Sequence, residues 1–333
     1  MLYVIIAVSI LILGVLIWLA SIDGSYHVKR SITVKASKDK AFNLVADFNS
    51  WKSWSPWLCM EPEAEVNITN NGVNVGAINS WVGELVGSGE IEHLGIEDNS
   101  SIDQEIRFIK PFKSKSKVYW SFTDKDDGCE VTWGMQGKMP FLFKFMAKNM
   151  EPWIGMDYDR GLKMIKDLLE IGSVASNIKI DGKVEAPSES FIGIRTQAPM
   201  NDLAPSMQEC FGKLKKLSQD KSITFDKTLS VYHDFDFTKP DCDYTAGIIA
   251  EPITLENNTE VYNGKLEKLK AIKVTFTGDY KHIGNAWSAA YAYARNKKIG
   301  IKKNQDPFEF YLTDPELEPD PNKWVSEIYL PIK

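Results

Sequence analysis

The run LYVIIAVSILILGVLIWLA, Leu2 to Ala20, carries no charge and matches the ~20 apolar residues a helix needs to cross a bilayer. A segment of that kind has to leave water, so the rest of the chain must fold beside it. A secretory signal is the competing reading, but such signals place a basic stretch ahead of an apolar core of about 7–15 residues, and the basic stretch is missing. Residues 1–22 are therefore expected to form an uncleaved, single-pass transmembrane anchor. Lys29, Arg30, Lys35, Lys38 and Lys40 follow it closely. Because basic flanks stay on the cytoplasmic side, this predicts an inner (cytoplasmic) membrane protein whose soluble part faces the cytoplasm.

The 333 residues, 44% of them hydrophobic, supply material for about two domains with cores of their own. Lys and Arg number 39 against 45 Asp and Glu, a net charge of -6, and no basic run offers the footprint that nucleic acid requires. Nucleic acid is thus not an expected partner, and no segment has the form of a DNA-reading element. Cys59, Cys129, Cys210 and Cys242 are scattered, which argues against a zinc site and a disulfide framework. His27, His93, His233 and His282 lie far apart without a Ser or Cys partner, so a nucleophilic triad has no support, and no glycine-rich phosphate loop precedes a helix. Neither a metal nor a cofactor is expected.

From Ser25 the chain alternates as a strand (Val28, Ile32, Val34), and Ser37 then caps a short helix carrying Ala41, Phe42, Leu44 and Val45. Residues 63–137 break into short alternating runs, among them AINSWVGE, GSGEIEHLGI, SIDQEIRFI, SKVYWSFTD and CEVTWGMQG, separated by turn residues. This is the pattern of an antiparallel meander. A helical stripe of Ile154, Tyr158, Leu162, Ile165 and Leu169 follows, with Gly172 as its stop. Together VKRSITVKASKDKAFNLVADFNSWKSWSPW, WVGELVGSGEIE, IKPFKSKSKVYWSF, GCEVTWGMQGKMPF and DYDRGLKMIKDLLE resemble the polyketide-cyclase-like branch of the SRPBCC (START-like) superfamily over residues 25–172. The resemblance implies a helix-grip fold, a bent antiparallel sheet around a long C-terminal helix, enclosing an apolar cavity. It implies a pocket rather than a reaction.

Gly, Ser, Asn and Pro mark the stretch 172–189, and residues 173–186 within it are read as a linker. Beyond it a unit repeats. FIGIRTQAP, a helix near 202–217 and the pair KTLSVYHDF and YTAGIIAEPI match, in order, IKVTFTGDY, a helix near 282–298 and the pair DPFEFYLTD and WVSEIYLPI. The second α+β domain is thus two strand-helix-strand-strand modules. KVTFTGDYKHIGNAWSAAYAYARNKKIGI, FEFYLTDPELEPDP and KWVSEIYLPI resemble the GyrI-like effector-binding domains fused to AraC-type and MerR-type bacterial regulators, over residues 187–333. The resemblance implies pseudo-two-fold symmetry and a cleft for lipophilic, often cationic, molecules. It also implies a functional acid at Glu327 with Trp287, Tyr291 and Tyr311 around the cleft, the first module having Gly247 where the second has Glu327.

Read from alternation alone, Val325, Glu327 and Tyr329 share a strand face that is either wet or lines a cavity. The resemblance favours the cavity, which makes Glu327, Trp287, Tyr291, Tyr311 and Tyr329 the candidate ligand contacts there. In the first domain Trp81, Trp120 and Trp133 lie in meander strands as pocket candidates, with faces that need a register to assign. Trp51, Trp54 and Trp57 fit ordinary packing at least as well as a cavity lid. The expected function is a membrane-anchored binding protein for a hydrophobic small molecule, cationic or neutral, which it senses, carries or sequesters. The alternative is a hydrolase or cyclase with Glu327 as general base.

Overall fold

The computed structural model describes residues 1–234, 239, 241–255 and 260–333. They divide into two compact units, residues 1–56, 63–83 and 87–173, and residues 57–62, 84–86 and 174–333. Each is α+β, and helix α1 (Leu2–Ser21) is long and apolar enough to cross a membrane.

In the first unit, β1 (Ser25–Val34) and helix α2 (Lys38–Ala46) lead into β2 (Glu65–Ile68), β3 (Ile78–Val82), β4 (Ser88–Glu97), β5 (Ser101–Lys110), β6 (Ser114–Lys125) and β7 (Gly128–Lys138). These make one antiparallel sheet in the order β1-β7-β6-β5-β4-β3-β2, the expected meander with β1 returning to pair with β7. The long helix α3 (Ala147–Glu170) buries Tyr158, Leu162 and Ile165, and Tyr158 stacks on Trp133 of β7 at 3.8 Å. Gly161 permits this approach, since a Cβ there would sit 2.8 Å from the Trp133 ring and 3.2 Å from Pro56.

In the second unit, β8 (Ser176–Ala186), β9 (Glu189–Pro199), β10 (Thr228–Asp234), β11 (Asp241–Ile249), β12 (Val261–Leu266), β13 (Leu269–Gly278), β14 (Phe308–Tyr311) and β15 (Val325–Pro331) form one sheet, ordered β12-β9-β11-β10-β14-β15-β13-β8. Helix α4 (Leu203–Asp220) packs on β9 and β11, and helix α5 (Gly284–Asn296) on β13, β15 and β8. The order reads symmetrically from a seam between β10 and β14, so the two predicted modules meet edge to edge. Phe235, at the end of the first module's KTLSVYHDF, lies outside the described residues.

Residues 176–186, within the expected linker, are instead edge strand β8, paired with β13 along its length. Ile178 and Ile180 alternate toward α5, and at Gly182 (φ 90°) a bulge reverses the parity so that Val184 packs on the other side of the sheet. Only residues 187 and 188 join β8 to β9, although these strands stand near opposite ends of the order. Such a link reaches about 10 Å at ~3.3–3.6 Å per residue, so the sheet bends until its ends meet there. Ser188 Oγ donates to the Leu266 carbonyl at 2.9 Å across that closure. Helices cover one face, and the other encloses a smaller core of Phe191, Leu229, Phe308, Phe310 and Tyr329.

A fragment of residues 174–333 is expected to melt cooperatively. One beginning at 187 lacks β8, bares the edge of β13 and uncovers α5, so it should melt at least several degrees lower or aggregate. Thermal unfolding followed by circular dichroism compares the two directly.

Candidate functional site

The sequence FEFY of β14 alternates faces. Phe308 and Phe310 enter the smaller core, while Glu309 and Tyr311 turn toward α4 and α5 at the seam between the modules. Glu309 is wholly buried. Its Oε1 accepts from the Tyr232 hydroxyl at 2.6 Å and from the Tyr311 hydroxyl, and its Oε2 accepts from Trp287 Nε1 at 2.7 Å. None of these donors is charged. Burial pushes the Glu309 pKa above the ordinary carboxylate value, and the three hydrogen bonds work in the opposite direction. The same carboxylate raises the pKa of both tyrosines, in addition to their own desolvation.

Aromatic rings continue outward from this carboxylate. Tyr232 meets Trp287 edge-on at 5.6 Å, and Tyr311 meets Phe211 of α4 at 5.7 Å and Tyr280 at 5.1 Å. Tyr280 in turn contacts Trp324 at 5.0 Å. Phe211, Tyr280 and Trp324 are half-buried, so the aromatic series runs from the interior acid toward solvent. Ser230 hydrogen-bonds the Tyr311 hydroxyl at 3.2 Å, and Met207 sulfur lies 3.9 Å from it. Apolar walls around one polar anchor are the usual composition of a small-molecule site.

Glu327 is on the other face. In the antiparallel register it pairs with Phe310 and Thr275, and paired residues share a face, so it points away from α4 and α5. Its carboxylate accepts from Lys273 Nζ at 2.7 Å and from the Tyr329 hydroxyl at 2.7 Å. Tyr329 is buried with its ring stacked on Phe308 at 4.9 Å. The structure therefore separates the expected constellation: Trp287 and Tyr311 gather round Glu309, whereas Glu327 and Tyr329 form a separate pair with Lys273. The general base of the hydrolase or cyclase alternative is likewise engaged by lysine and is not beside Tyr311. Tyr291 lies half-buried against the helix-side core. A further line, Asp306 to His233 Nδ1 at 2.6 Å and His233 Nε2 to Thr245 Oγ1 at 2.8 Å, has the outline of a nucleophile relay. Thr245 is wholly buried and hydrogen-bonded to Tyr262 at 2.8 Å, so the line ends in a closed network.

In the first unit the register places Trp81, Trp120 and Trp133 on one sheet face, the face α3 covers. Trp120 and Trp133 are fully buried and stack at 4.3 Å, with Trp54 edge-on to both. Trp81 is half-buried against Phe108. Between them runs a neutral polar chain. Trp120 Nε1 donates to Gln104 Oε1 at 3.0 Å, Gln104 Nε2 donates to His93 Nδ1 at 3.2 Å, and His93 Nε2 donates to the Ala46 carbonyl at 3.0 Å. His93 also stacks on Phe48 at 4.0 Å. On the same face, Asn79 Oδ1 and the Tyr158 hydroxyl are buried without a hydrogen-bond partner among the described residues.

Residues 183–333 match the model of the GyrI-like small molecule binding domain, and residues 25–170 match that of polyketide cyclase / dehydrase and lipid transport. The chain joins one domain of each family. Solved structures similar to parts of it include the EcmrR C-terminal domain (16% identity, 47% of this chain and 98% of that one, TM-score 0.38). EcmrR in complex with DNA (13%, 59% and 72%, TM-score 0.41) and protein MLL2253 from Mesorhizobium loti (14%, 43% and 96%, TM-score 0.34) are also similar. No curated protein matches. The exclusion of nucleic acid drawn from net charge gains no support from these relatives.

Of the residues expected in the GyrI-like cleft, Trp287 and Tyr311 thus meet at the seam, and the acid they hold is Glu309, which the sequence reading passed over. A signal for it was present. Glu309 is two positions from Tyr311 in a strand, so any face that takes one takes the other. Tyr232, the third partner, stands on β10 and comes near β14 only through strand pairing.

The polyketide-cyclase-like domain carries a pH dependence of its own. Burial lowers the His93 pKa in the folded protein, while the unfolded chain takes up a proton near 6.5. Stability from the neutral imidazole is therefore complete above about pH 6.5 and is lost as pH falls through the folded-state pKa. Urea unfolding followed by tryptophan fluorescence should show a lower midpoint at pH 5.5 than at pH 7.5, and His93→Gln should flatten that difference.

Proposed function

We propose that the chain is a membrane-anchored binding protein for lipophilic, cationic small molecules, held by the GyrI-like domain beside Glu309. The observation that carries this reading is a wholly buried carboxylate whose two oxygens are held, among the described residues, by phenol and indole donors and flanked by aromatic faces. Such a group is costly to ionise without a countercharge, and an apolar cation supplies that charge while its surface takes up the rings. The anchor part of the reading is supported by α1, and its orientation by the basic residues that follow. A cytoplasmic-side domain fixed to a membrane would meet lipophilic compounds as they enter, which suits sensing, carriage or sequestration.

Tetraphenylphosphonium tests the charge term, because it is a cation without hydrogen-bond donors, and triphenylphosphine oxide is a neutral counterpart. In calorimetric titrations of the full chain, Glu309→Gln should weaken the cation about tenfold to a hundredfold, the range for losing ~1.5–3 kcal/mol, and change the neutral compound little. Trp287→Phe should weaken both. Glu327→Gln is the internal comparison: a selective loss there, with Glu309→Gln silent, would move the site to the opposite face and overturn this assignment.

A further inference from the structure

The strand register brings several separate segments to one end of the first sheet. Ser25, where β1 begins, pairs with Lys138, where β7 ends, and the β5–β6 turn lies beside them because Lys117 of β6 pairs with Gln136. From this end α1 departs and the turn Phe141–Met146 begins. The junction is built: Leu19 is buried, Trp18 stacks on Phe145 at 6.5 Å, and the Met139 amide donates to the Gly24 carbonyl at 2.8 Å.

The same end exposes large apolar side chains that a water-facing surface does not need. Phe112 is 79% exposed at the tip of the β5–β6 turn, and Phe141, Leu142, Phe143 and Phe145 are 44%, 60%, 48% and 46% exposed. Lysines surround them: Lys110, Lys113, Lys138, Lys144 and Lys148. Neither residues 106–123 nor residues 131–150 contain an acid. Asp23, at the exit of α1, accepts from the Ser25 amide at 2.9 Å. Aromatic residues interleaved with lysine are the composition that settles at the interface of an anionic bilayer.

We propose that this end of the sheet is a second membrane contact: Phe112 and the Phe141–Phe145 turn enter the interfacial layer of an anionic leaflet beside α1, and the lysines meet its headgroups. The inference rests on α1 as a membrane span, and it fixes how the polyketide-cyclase-like domain is held against the lipid rather than tethered loosely above it. Its occupant is lipid because the patch is continuous with α1, whose own surface is apolar all round.

The test uses the full chain in nanodiscs of phosphatidylcholine and phosphatidylglycerol, with half-buried Cys59 replaced by Ser and an NBD label at a single introduced cysteine: Phe143→Cys, Phe112→Cys, Leu11→Cys in α1, or Lys125→Cys at the far end of β6. Circular dichroism confirms the fold of each. Spin-labelled lipids with shallow nitroxides should quench positions 143 and 112 at least twofold more than 125, removing phosphatidylglycerol should reduce that quenching, and lipids with deep nitroxides near the bilayer centre should quench position 11. Quenching at 11 with none at 143 and 112 above the level at 125 would overturn the second contact and leave the span standing. Quenching at 143 and 112 without any at 11 would support the contact and overturn the span. Absence of quenching at all of them would overturn both. A blue-shifted, unquenched label at 143 would show protein in place of lipid and overturn the proposal.

Discussion

The antiparallel pairing of β10 with β14 is the contact on which the second unit depends. Each module alone has a sheet with an open edge and a helix covering half a core. Pairing the edges removes both liabilities and makes one sheet with a pseudo-two-fold seam. At that seam a residue is flanked by both helices, and Glu309 occupies it. Its hydrogen bonds cross the join: Tyr232 belongs to the first module, Trp287 and Tyr311 to the second. The buried acid therefore sits on a structure already forced by strand edges, in agreement with the rule that sites are grafted on folds rather than implied by them.

The two buried polar centres follow the same physics with different outcomes. His93 gives each ring nitrogen a neutral partner in a chain that ends on a backbone carbonyl, so its neutral form is stabilised and nothing is left over. Glu309 is an acceptor surrounded by donors, and the negative form uses every one of them while the buried surroundings oppose its charge. A closed neutral network locks a core, whereas at Glu309 burial and the three hydrogen bonds act on the charge in opposite directions.

The first unit shows the cost and use of aromatic concentration. Trp54, Trp120, Trp133 and Tyr158 fill the space between sheet and helix with stacked and edge-on rings. Gly161 is required where α3 crosses this stack, because any side chain would collide with Trp133. Toward the β3 end of the same face, Trp81 is only half-buried. Packing thus grades from sealed to open along a single sheet.

Most of the architecture was legible in the sequence because it rests on local periodicity. The apolar run of α1, the period-two runs of the meander, the helical stripe of α3 and the repeated module all announce themselves within a few turns or strands. The assignment of 173–186 as linker failed on a competing local signal: Gly and Ser suggested a loop, while Ile178, Ile180 and Val184 belonged to a bulged strand whose partner lies some ninety residues away. Trp120 and Trp133 could be named as candidates, but only the register showed that they stack. The acid of the second unit was decided entirely by tertiary structure. Glu309 and Glu327 are both single carboxylates in aromatic strands near the C-terminus, and nothing local distinguishes them. The antiparallel pairing that sets Glu327 opposite Phe310 sends it to the lysine side, and the same pairing turns Glu309 under α5. Side-chain parity is written in each strand, but which parity faces the helices depends on contacts between residues distant in the chain.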